Sequence, residues 1–391
     1  MQVVGKMATE RLRIAMLSRQ FSTTGGGAER YAIALVEQLA ARHEIHVFAQ
    51  CIDHQWPGVT YHRVPQLLKR PRWFNQLWYA IATWWSTHQG FDVVHSHENT
   101  WHGNVQTMHV LPIKYNLFHD KSGLSFVLYC LRVITSPRLL VYLLLERSRF
   151  SMSRQRAIVV TSGSLVAQTA LTYPSCRSAI SVITPGVEQV YERVSEAMQQ
   201  ATRQHLGLPT TGLCILFVGN DYRKKGLTTL IAAMAGLPAD YFLAVVGDAA
   251  HIPQFKAQAL AAGLDQRIHF LGSRKAMQDV YAAADCLAHP TLEDTFAMVV
   301  LEALAHSLPV IVSCEKYCGI AGLLTNEVNA LLLHDPTDAN ALTHTISRVF
   351  TESDLREGLI NQGLAFARQH SWDKVKNEYD QIYHSGVFLN P

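Results

Sequence analysis

An α/β fold of two doubly wound, Rossmann-like domains is what the 391-residue sequence predicts, and three observations carry that prediction. Short apolar runs recur from end to end, each closing in a glycine-rich or polar turn that opens onto a stretch of 3.6-residue apolar period. That alternation belongs to parallel sheets covered by helices. The chain is too long for one ordinary core and suits two of similar size. Charge divides it in the same way: residues 1–188 hold 19 Lys and Arg against 10 Asp and Glu, and 189–391 hold 15 against 21, so net charges of +9 and −6 add to +3.

In the first half, Leu12–Leu17 reads as a buried strand, and Gly25-Gly26-Gly27 then opens a helix at Ala28. Such a turn lets backbone approach a phosphate or sugar closely. It is not G-x-G-x-x-G, and no ribose-binding acid follows the next strand, which argues against a Rossmann NAD site. Strands follow at Glu44–Phe48 and Val59–Val64. The most aromatic part of the chain is next, with Lys69, Arg70 and Arg72 ahead of an apolar stripe at positions 74, 77, 78, 81, 84 and 85. Core packing is the default for such a stripe, and an interfacial or acceptor-binding helix is its rival. Phe91–His95 and Val105–His109 are strands ending in histidine. His95, His97 and His102 invite a metal reading, but no Asp/Glu/His set with metal spacing completes it. Residues 112–156 interleave aromatic and aliphatic side chains with Arg147, Arg149, Arg154 and Arg156 among other cations, a pattern suited to a membrane interface. A strand at Ala157–Thr161, a turn and a helix come before a polar linker over 188–209.

The second half opens with a strand at Cys214–Gly219, followed by Arg223, Lys224, Lys225 and Gly226 before a helix. Clustered cations beside a glycine at a helix start suit a diphosphate. Tyr241–Val246, Arg267–Gly272 and Cys286–Pro290 are further strands whose ends line the ligand-binding edge of a parallel sheet. The stretch His289–Pro309 organises this half. Asp294-Thr295 is N-cap chemistry, so the N–H groups of Phe296, Ala297, Met298 and Val299 should face an anion such as a nucleotide diphosphate. Glu302 is the only formally charged side chain between Asp294 and Glu315 and needs a partner. With Asp294 it could accept hydrogen bonds from sugar hydroxyls; the plainer alternative is a capped core helix with a salt-bridged Glu. Strands at Val310–Ser313 and Ala330–Leu333 and helices over 339–350 and 353–385 complete the chain.

Seven scattered cysteines without a C-x-x-C pair fit a reducing compartment. The N-terminus lacks a signal-peptide core, Met7 is a candidate start, and no uncharged apolar run is long enough to span a membrane. The expectation is a cytoplasmic protein peripheral to a membrane. The basic first half suggests an anionic partner such as phospholipid or an acidic lipid-linked glycan, and no nucleic-acid motif accompanies it.

Asp294-x7-Glu302 with the following Ala-Leu-Ala resembles the E-x7-E signature of retaining glycosyltransferases of family 4, two-domain enzymes of GT-B fold whose domains face a cleft. Asp294 stands where that family usually has Glu, and Ala297 where it usually has Gly. Gly25–Arg30 is similar to its G-G-x-E-R segment, and His109 resembles the histidine of its A-T-F-H segment. Gly219–Gly226 resembles the G-x-D-x-x-R-K-G segment of the lipopolysaccharide-core glucosyltransferase branch, with Lys224 at its Arg and Lys225 at its Lys. Residues 112–156 are similar to the membrane-binding insertion of that branch.

The resemblance implies retaining, metal-independent transfer of a hexose from a nucleotide-diphosphate sugar, a UDP-sugar being favoured. The acceptor would be a glycolipid or lipopolysaccharide-type glycan at the anionic inner face of the cell membrane, with no cofactor and no nucleic acid. It assigns His109, Asp294 and Lys225 to catalysis. Gly26, Gly27, Lys224, Lys225, Phe296, Ala297, Met298, Val299 and Glu302 would hold the donor, with the nucleobase near 267–272. The lack of any D-x-D removes the usual divalent-metal handle. The acceptor-side domain would span 1–187, the donor domain 188–371, and a C-terminal helix over 372–391 would return to the first. The rival functions are a nucleotide-sugar epimerase of the same fold and a non-catalytic glycan-binding protein.

Overall fold

The computed structural model describes residues 10–23, 25–68, 70–151 and 156–385. Met1, Met7, Lys69 and Arg154 lie outside the described residues. Contacts divide the chain into two units, Met1–Thr184 with Trp372–Pro391, and Pro185–Ser371.

Unit 1 runs β1 (Arg13–Leu17), β2 (Gln20–Phe21), α1 (Gly27–Ala40), β3 (Glu44–Ala49), β4 (Cys51–Ile52), β5 (Val59–Arg63), α2 (Arg72–Thr87), β6 (Val93–Ser96) and β7 (Val105–Met108). It continues with α3 (Ile113–Phe118), α4 (Gly123–Ile134), α5 (Pro137–Arg149), β8 (Ala157–Val160), α6 (Gly163–Thr172) and β9 (Ile180–Val182). Unit 2 runs α7 (Glu196–Leu206), β10 (Leu213–Val218), α8 (Leu227–Met234), β11 (Tyr241–Val246), α9 (Ile252–Ala261), β12 (Ile268–Gly272), α10 (Met277–Ala283), β13 (Cys286–His289) and α11 (Met298–Ala305). It ends with β14 (Val310–Ser313), β15 (Leu331–Leu333), α12 (Ala339–Thr351) and α13 (Ser353–Arg368), after which α14 (Trp372–Tyr383) rejoins unit 1.

Each unit is a parallel sheet, ordered β5-β3-β1-β6-β7-β8-β9 in unit 1 and β12-β11-β10-β13-β14-β15 in unit 2. Central strands such as β11 and β13 are buried along their whole length, as strands covered on both faces must be. The order reverses beside β1 and beside β10. Loops at the C-terminal ends of β1, β6, β10 and β13 therefore surround the two switch points where such folds bind ligands.

Four expectations are corrected. The stretch 188–209 is no mere linker: α7 forms within it and anchors Arg203, buried and paired with Asp285 at 2.6 Å. The C-terminal helix over 353–385 is two helices, interrupted where Ser371 bridges Val187 and Val187 N–H donates to the His370 carbonyl at 2.8 Å. The aromatic stripe of α2 is not core. Its buried face is Asn75, Gln76, Tyr79, Ala80, Thr83 and Thr87, while Ile81, Trp84 and Trp85 are exposed. The ground beneath α2 offers backbone carbonyls: Tyr79 donates to Phe48 O at 2.8 Å and Gln76 to Asn99 O at 3.0 Å. Only polar side chains can satisfy those acceptors, so the polar face turns inward.

The fourth correction concerns the cations of 112–156. Arg149 and Arg156 are buried and donate to backbone carbonyls, Arg149 to Thr107 at 2.6 Å and Arg156 to Arg149 at 2.9 Å. They brace the fold and face no membrane. Arg132, Arg138 and Arg147 remain exposed. Beside them α4 buries only Val133 and leaves Leu124, Leu128, Leu131 and Ile134 open. Among the described residues no single helix is long and apolar enough to cross a membrane, although α4 and α5 pass that test together as a pair bent by 95°.

Candidate functional site

In unit 2 the loops after β10 and β13 interlock at Gly226. Its φ is +81°, and a Cβ there would lie 1.8 Å from the Pro290 carbonyl oxygen, so only glycine permits the approach. Leu292 N–H donates to Lys224 O at 2.8 Å. Lys224 Nζ then meets Glu293 Oε1 at 2.6 Å, while Lys225 Nζ donates to Asp294 Oδ2 at 2.6 Å and to Glu293 O at 3.1 Å. The same Asp294 oxygen accepts from His289 Nε2 at 3.2 Å, and Oδ1 accepts from Phe296 N–H at 3.3 Å and Ala297 N–H at 2.9 Å. Backbone pairing to Tyr317 and Gly319 fixes Asp294 from the other side.

Burial alone would raise the Asp294 pKa, but the His289 hydrogen bond and the Lys225 charge outweigh it and hold the carboxyl well below the usual range. Burial pushes His289 down against the pull of Asp294. A neutral imidazole donating from Nε2 fits, with its buried Nδ1 an unpartnered acceptor among the described residues. The outcome is two adjacent ion pairs, Lys225 on the fixed Asp294 carboxylate and Lys224 on Glu293, with the lysines at 20% and 44% exposure.

This geometry corrects the expected helix start. Asp294 caps the turn, not the helix: α11 begins at Met298, and its N-cap is Ala297 in the left-handed region at φ 72° and ψ 73°. Phe296 and Ala297 N–H are taken up by Asp294, leaving those of Met298 and Val299 without an acceptor among the described residues and able to face an anion. Both Asp294 oxygens are occupied as well, so its expected acceptance from sugar hydroxyls gives way to holding Lys225 and the turn. Glu302 finds its partner in Tyr281, whose hydroxyl donates to Oε2 at 2.6 Å. Tyr281 in turn stacks on His306, and His306 on Tyr191, at centroid distances of 4.7 and 4.1 Å. Sequence reasoning missed Tyr281, His306 and His289. A tyrosine at helical spacing in an alanine-rich run carries no signal of its own. Arg267, expected near a nucleobase, is the N-terminal neighbour of β12 and donates to the Tyr241 carbonyl at 2.9 Å; Gly272 is at the ligand-binding end.

In unit 1, α1 begins at Gly27 with Gly26 as its N-cap, so the glycine turn lies at the end of β1. After β6 and β7, His95, His97 and His109 stack in series at centroid distances of 4.4 and 5.2 Å, and His97 Nδ1 bonds His109 Nε2 at 2.9 Å. His102, expected with His95 and His97, lies instead against Trp101. Among the described residues no group of three or more His, Cys, Asp or Glu has the geometry to hold a metal ion. His95 bonds Tyr383 through Nδ1 and Thr107 through Nε2, both at 2.7 Å, and Thr107, Tyr379 and Tyr31 continue the chain at 2.8 and 3.0 Å. Thus α14 ties β6 and β7 to α1. Burial, then the charge of Arg149, pushes His109 down to about 3; burial, His109 and Arg149 do the same to His95. Burial also lowers Arg149, to about 10. The three imidazoles are neutral at ordinary pH.

Comparison with known proteins matches both halves. Residues 25–189 fit the description Glycosyltransferase Family 4 and residues 198–365 fit Glycosyl transferases group 1. Over 55% of its length the chain is 26% identical to the lipopolysaccharide glucosyltransferase WaaG of Escherichia coli (strain K12). Over 61% it is 28% identical to a D-inositol 3-phosphate glycosyltransferase of Xylanimonas cellulosilytica. These matches span 58% and 60% of the relatives' own lengths, less than two thirds. In fold the chain is similar to the crystal structure of WaaG, a glycosyltransferase involved in lipopolysaccharide biosynthesis, with a TM-score of 0.82, 21% identity, and coverage of 95% of this chain and 99% of that one. It is also similar to Anabaena HepE in complex with UDP-glucose, with a TM-score of 0.73, 18% identity, and coverage of 96% and 100%. With two parallel Rossmann-like units and both sequence halves matched in order, the chain belongs to the family 4 and group 1 glycosyltransferases of GT-B fold.

Proposed function

We propose that this protein is a retaining, metal-independent hexosyltransferase that takes a nucleotide-diphosphate sugar, a UDP-sugar by preference, and glycosylates a glycolipid or lipopolysaccharide-type acceptor. The observation that carries the reading is the pair Lys224 and Lys225, set on interlocked loops beside the N-terminus of α11. Fixed ammonium groups and the Met298 and Val299 N–H groups would stabilise the charge that develops on a leaving diphosphate, the task a metal ion performs elsewhere. Lys225 is held by Asp294 and the Glu293 carbonyl before any donor is bound, so it would need little reorganisation as the bond breaks. Asp294 acts through Lys225 as a positioning residue. Glu302, oriented by Tyr281, would accept hydrogen bonds from ribose hydroxyls. Gly26, Gly27 and His109 keep the roles implied by resemblance: backbone approach to the donor, and contact with sugar and acceptor. Retention would follow from attack on the face the diphosphate leaves, that phosphate serving as base. The likeness to the lipopolysaccharide glucosyltransferase WaaG and to HepE in complex with UDP-glucose supports the acceptor and donor classes.

The acceptor reading draws on α4, whose open leucines beside Arg132, Arg138 and Arg147 suit an anionic bilayer surface. A peripheral enzyme on the inner face of the cell membrane follows from it. The test is donor hydrolysis and transfer with a panel of nucleotide sugars, with and without a lipid-linked acceptor, in EDTA. Transfer from a UDP-hexose in chelator is expected. Activity that returns only with Mg or Mn would reject the metal-free mechanism, and turnover without any acceptor to an epimeric nucleotide sugar would replace the reaction. Changing Leu124, Leu128 and Leu131 to Ser should abolish flotation with anionic vesicles while leaving the thermal midpoint unchanged, because none of the three is buried.

A further inference from the structure

Against the outer edge of the unit 1 sheet, between β5 and α2, lies a cavity of about 650 Å³. Strands β3, β1 and β6 separate β5 from the strand that precedes His109, so the cavity lies apart from His109. Its wall carries two guanidiniums and two imidazoles: Arg13 from β1, His46 from β3, and His62 and Arg63 from β5. The Glu44 carboxylate is shared by Arg13 Nε at 3.0 Å and His46 Nε2 at 2.8 Å, and the Asp92 carboxylate accepts from the Arg13 backbone N–H at 2.7 Å.

The cationic groups are held in place from behind. The Arg13 guanidinium lies 5.0 Å over the Phe91 ring and donates from Nη1 to Gly90 O at 3.0 Å. The His62 ring stacks on Phe48 at 4.4 Å and bonds His46 Nδ1 through Nε2 at 2.9 Å. Arg63 is exposed and has no ion pair among the described residues. Burial first, then the neighbouring His46 and Arg13, push the His62 pKa down. Edge strands do use charge to prevent unwanted pairing, and that accounts for Arg63 at the rim. It does not account for a recessed imidazole pair and a guanidinium braced on an aromatic ring along the same wall.

We propose that this cavity binds a phosphate ester, monoester or diester, through the Arg13 and Arg63 guanidiniums, with the His46–His62 pair as part of its wall. Guanidinium N–H groups match phosphate oxygens in geometry and charge. His46 gives its Nε2–H to Glu44 and His62 its Nε2–H to His46, so His62 Nδ1 donates to an anion only when protonated. The site is independent of the nucleotide-sugar reading, since none of the residues that line it is among those assigned to the donor or the acceptor. The ester has two possible sources, a soluble sugar or glycerol phosphate and a lipid headgroup. Exposed Trp84 and Trp85 on α2, the helix that lines the cavity with Ala82, suit the second.

The experiment uses the full chain with Leu124, Leu128 and Leu131 changed to Ser, so that α4 does not mask the result. Calorimetry with glycerol 1-phosphate forms the soluble arm, and flotation with phosphatidylglycerol vesicles the lipid arm. Binding in either arm is expected, with binding in vesicles alone assigning a headgroup. Arg63→Gln with His62→Asn should weaken that binding at least tenfold while leaving UDP binding and the thermal midpoint unchanged. Ala82→Phe, which fills the cavity and keeps every charge, should do the same and so distinguishes a site from diffuse surface charge. Absence of binding in both arms, or variants that bind as tightly as their parent, would overturn the proposal.

Discussion

At the switch point of unit 2, after β10 and β13, the chain places formal charge: two lysines against Glu293 and Asp294, with His289 beneath. Beside the switch point of unit 1 the charges that follow β1 and β6, Arg19 and Glu98, are paired with each other at 3.0 Å, and the histidines of β6 and β7 and the loops after them add none. Three imidazoles stack, kept neutral by burial and by Arg149, and α14 closes the network with tyrosine hydroxyls. The strand orders are alike, so topology decides where a site lies and side-chain chemistry decides what it tolerates. A charged end is prepared for an anion. A neutral end suits hydroxyl groups, which exchange hydrogen bonds without bringing charge.

The largest break in this contrast should come from Lys225→Ala. Loss of one preorganised donor to a leaving group costs on the order of 10²–10³ in turnover. The same change strips Asp294 of its ammonium partner, so the thermal midpoint should drop too. Lys225→Ala with Asp294→Asn should recover stability and not activity; recovery of both would show that the lysine serves only the fold. Glu302→Gln comes next. A charge-assisted acceptor for ribose hydroxyls is worth about 1.5–3 kcal/mol, roughly ten- to 150-fold in donor affinity by calorimetry. Unchanged affinity would leave Glu302 as a partner for Tyr281 alone.

Acid should separate the two units. The unfolded chain takes up protons on histidine below about pH 6.5, whereas folded His95 and His109 refuse them down to about 3. Their folded values lie below the unfolded one, so the stability they confer is complete above pH 6.5 and drains away as pH falls toward 3. Asp294 shifts in the same sense but from a carboxylate's ordinary value, so its contribution survives until about pH 4 and is lost below it. In unit 2, the depression of His289 is opposed by Asp294. Hydrogen exchange at pH 5 against pH 7.5 should therefore show greater loss of protection in β6 and β7 than in β10 and β13. Equal loss would mean that the unit 1 histidines are not held neutral.

The smallest effect is expected from Ala297→Gly. An alanine at φ 72° bears a strain of about 1 kcal/mol that glycine lacks, less what glycine adds to the freedom of the unfolded chain. A slight rise in thermal midpoint with donor affinity kept would sharpen the assignment of strain to this turn. A fall would mean that the buried methyl contributes more by packing than it costs in strain.

Much of the unit 2 group was legible before any coordinates, since Lys224, Lys225, Asp294 and Glu302 fall at turns whose chemistry is local. What those side chains touch was not. Asp294 looked like a helix cap because an acid before an apolar run usually is one; the left-handed Ala297 moves the helix start and leaves Asp294 capping the turn instead. Tyr281 was invisible because its value lies only in meeting Glu302 across 21 residues.

By itself the sequence determined the alternation of strands and helices, the two-unit size, and the glycine turn and lysine pair at strand ends. Periodicity, turn residues and charge order act over a few neighbours and can be read from them. Only the tertiary structure decided which face of α2 turns inward, that Arg149 and Arg156 brace backbone while α4 stays bare, and that Lys225 meets an aspartate 69 residues away. Each of these follows from satisfying buried polar groups with partners distant in sequence. The cost of leaving such a group unsatisfied outweighs the local preference of an apolar stripe or a cationic run for its usual surroundings.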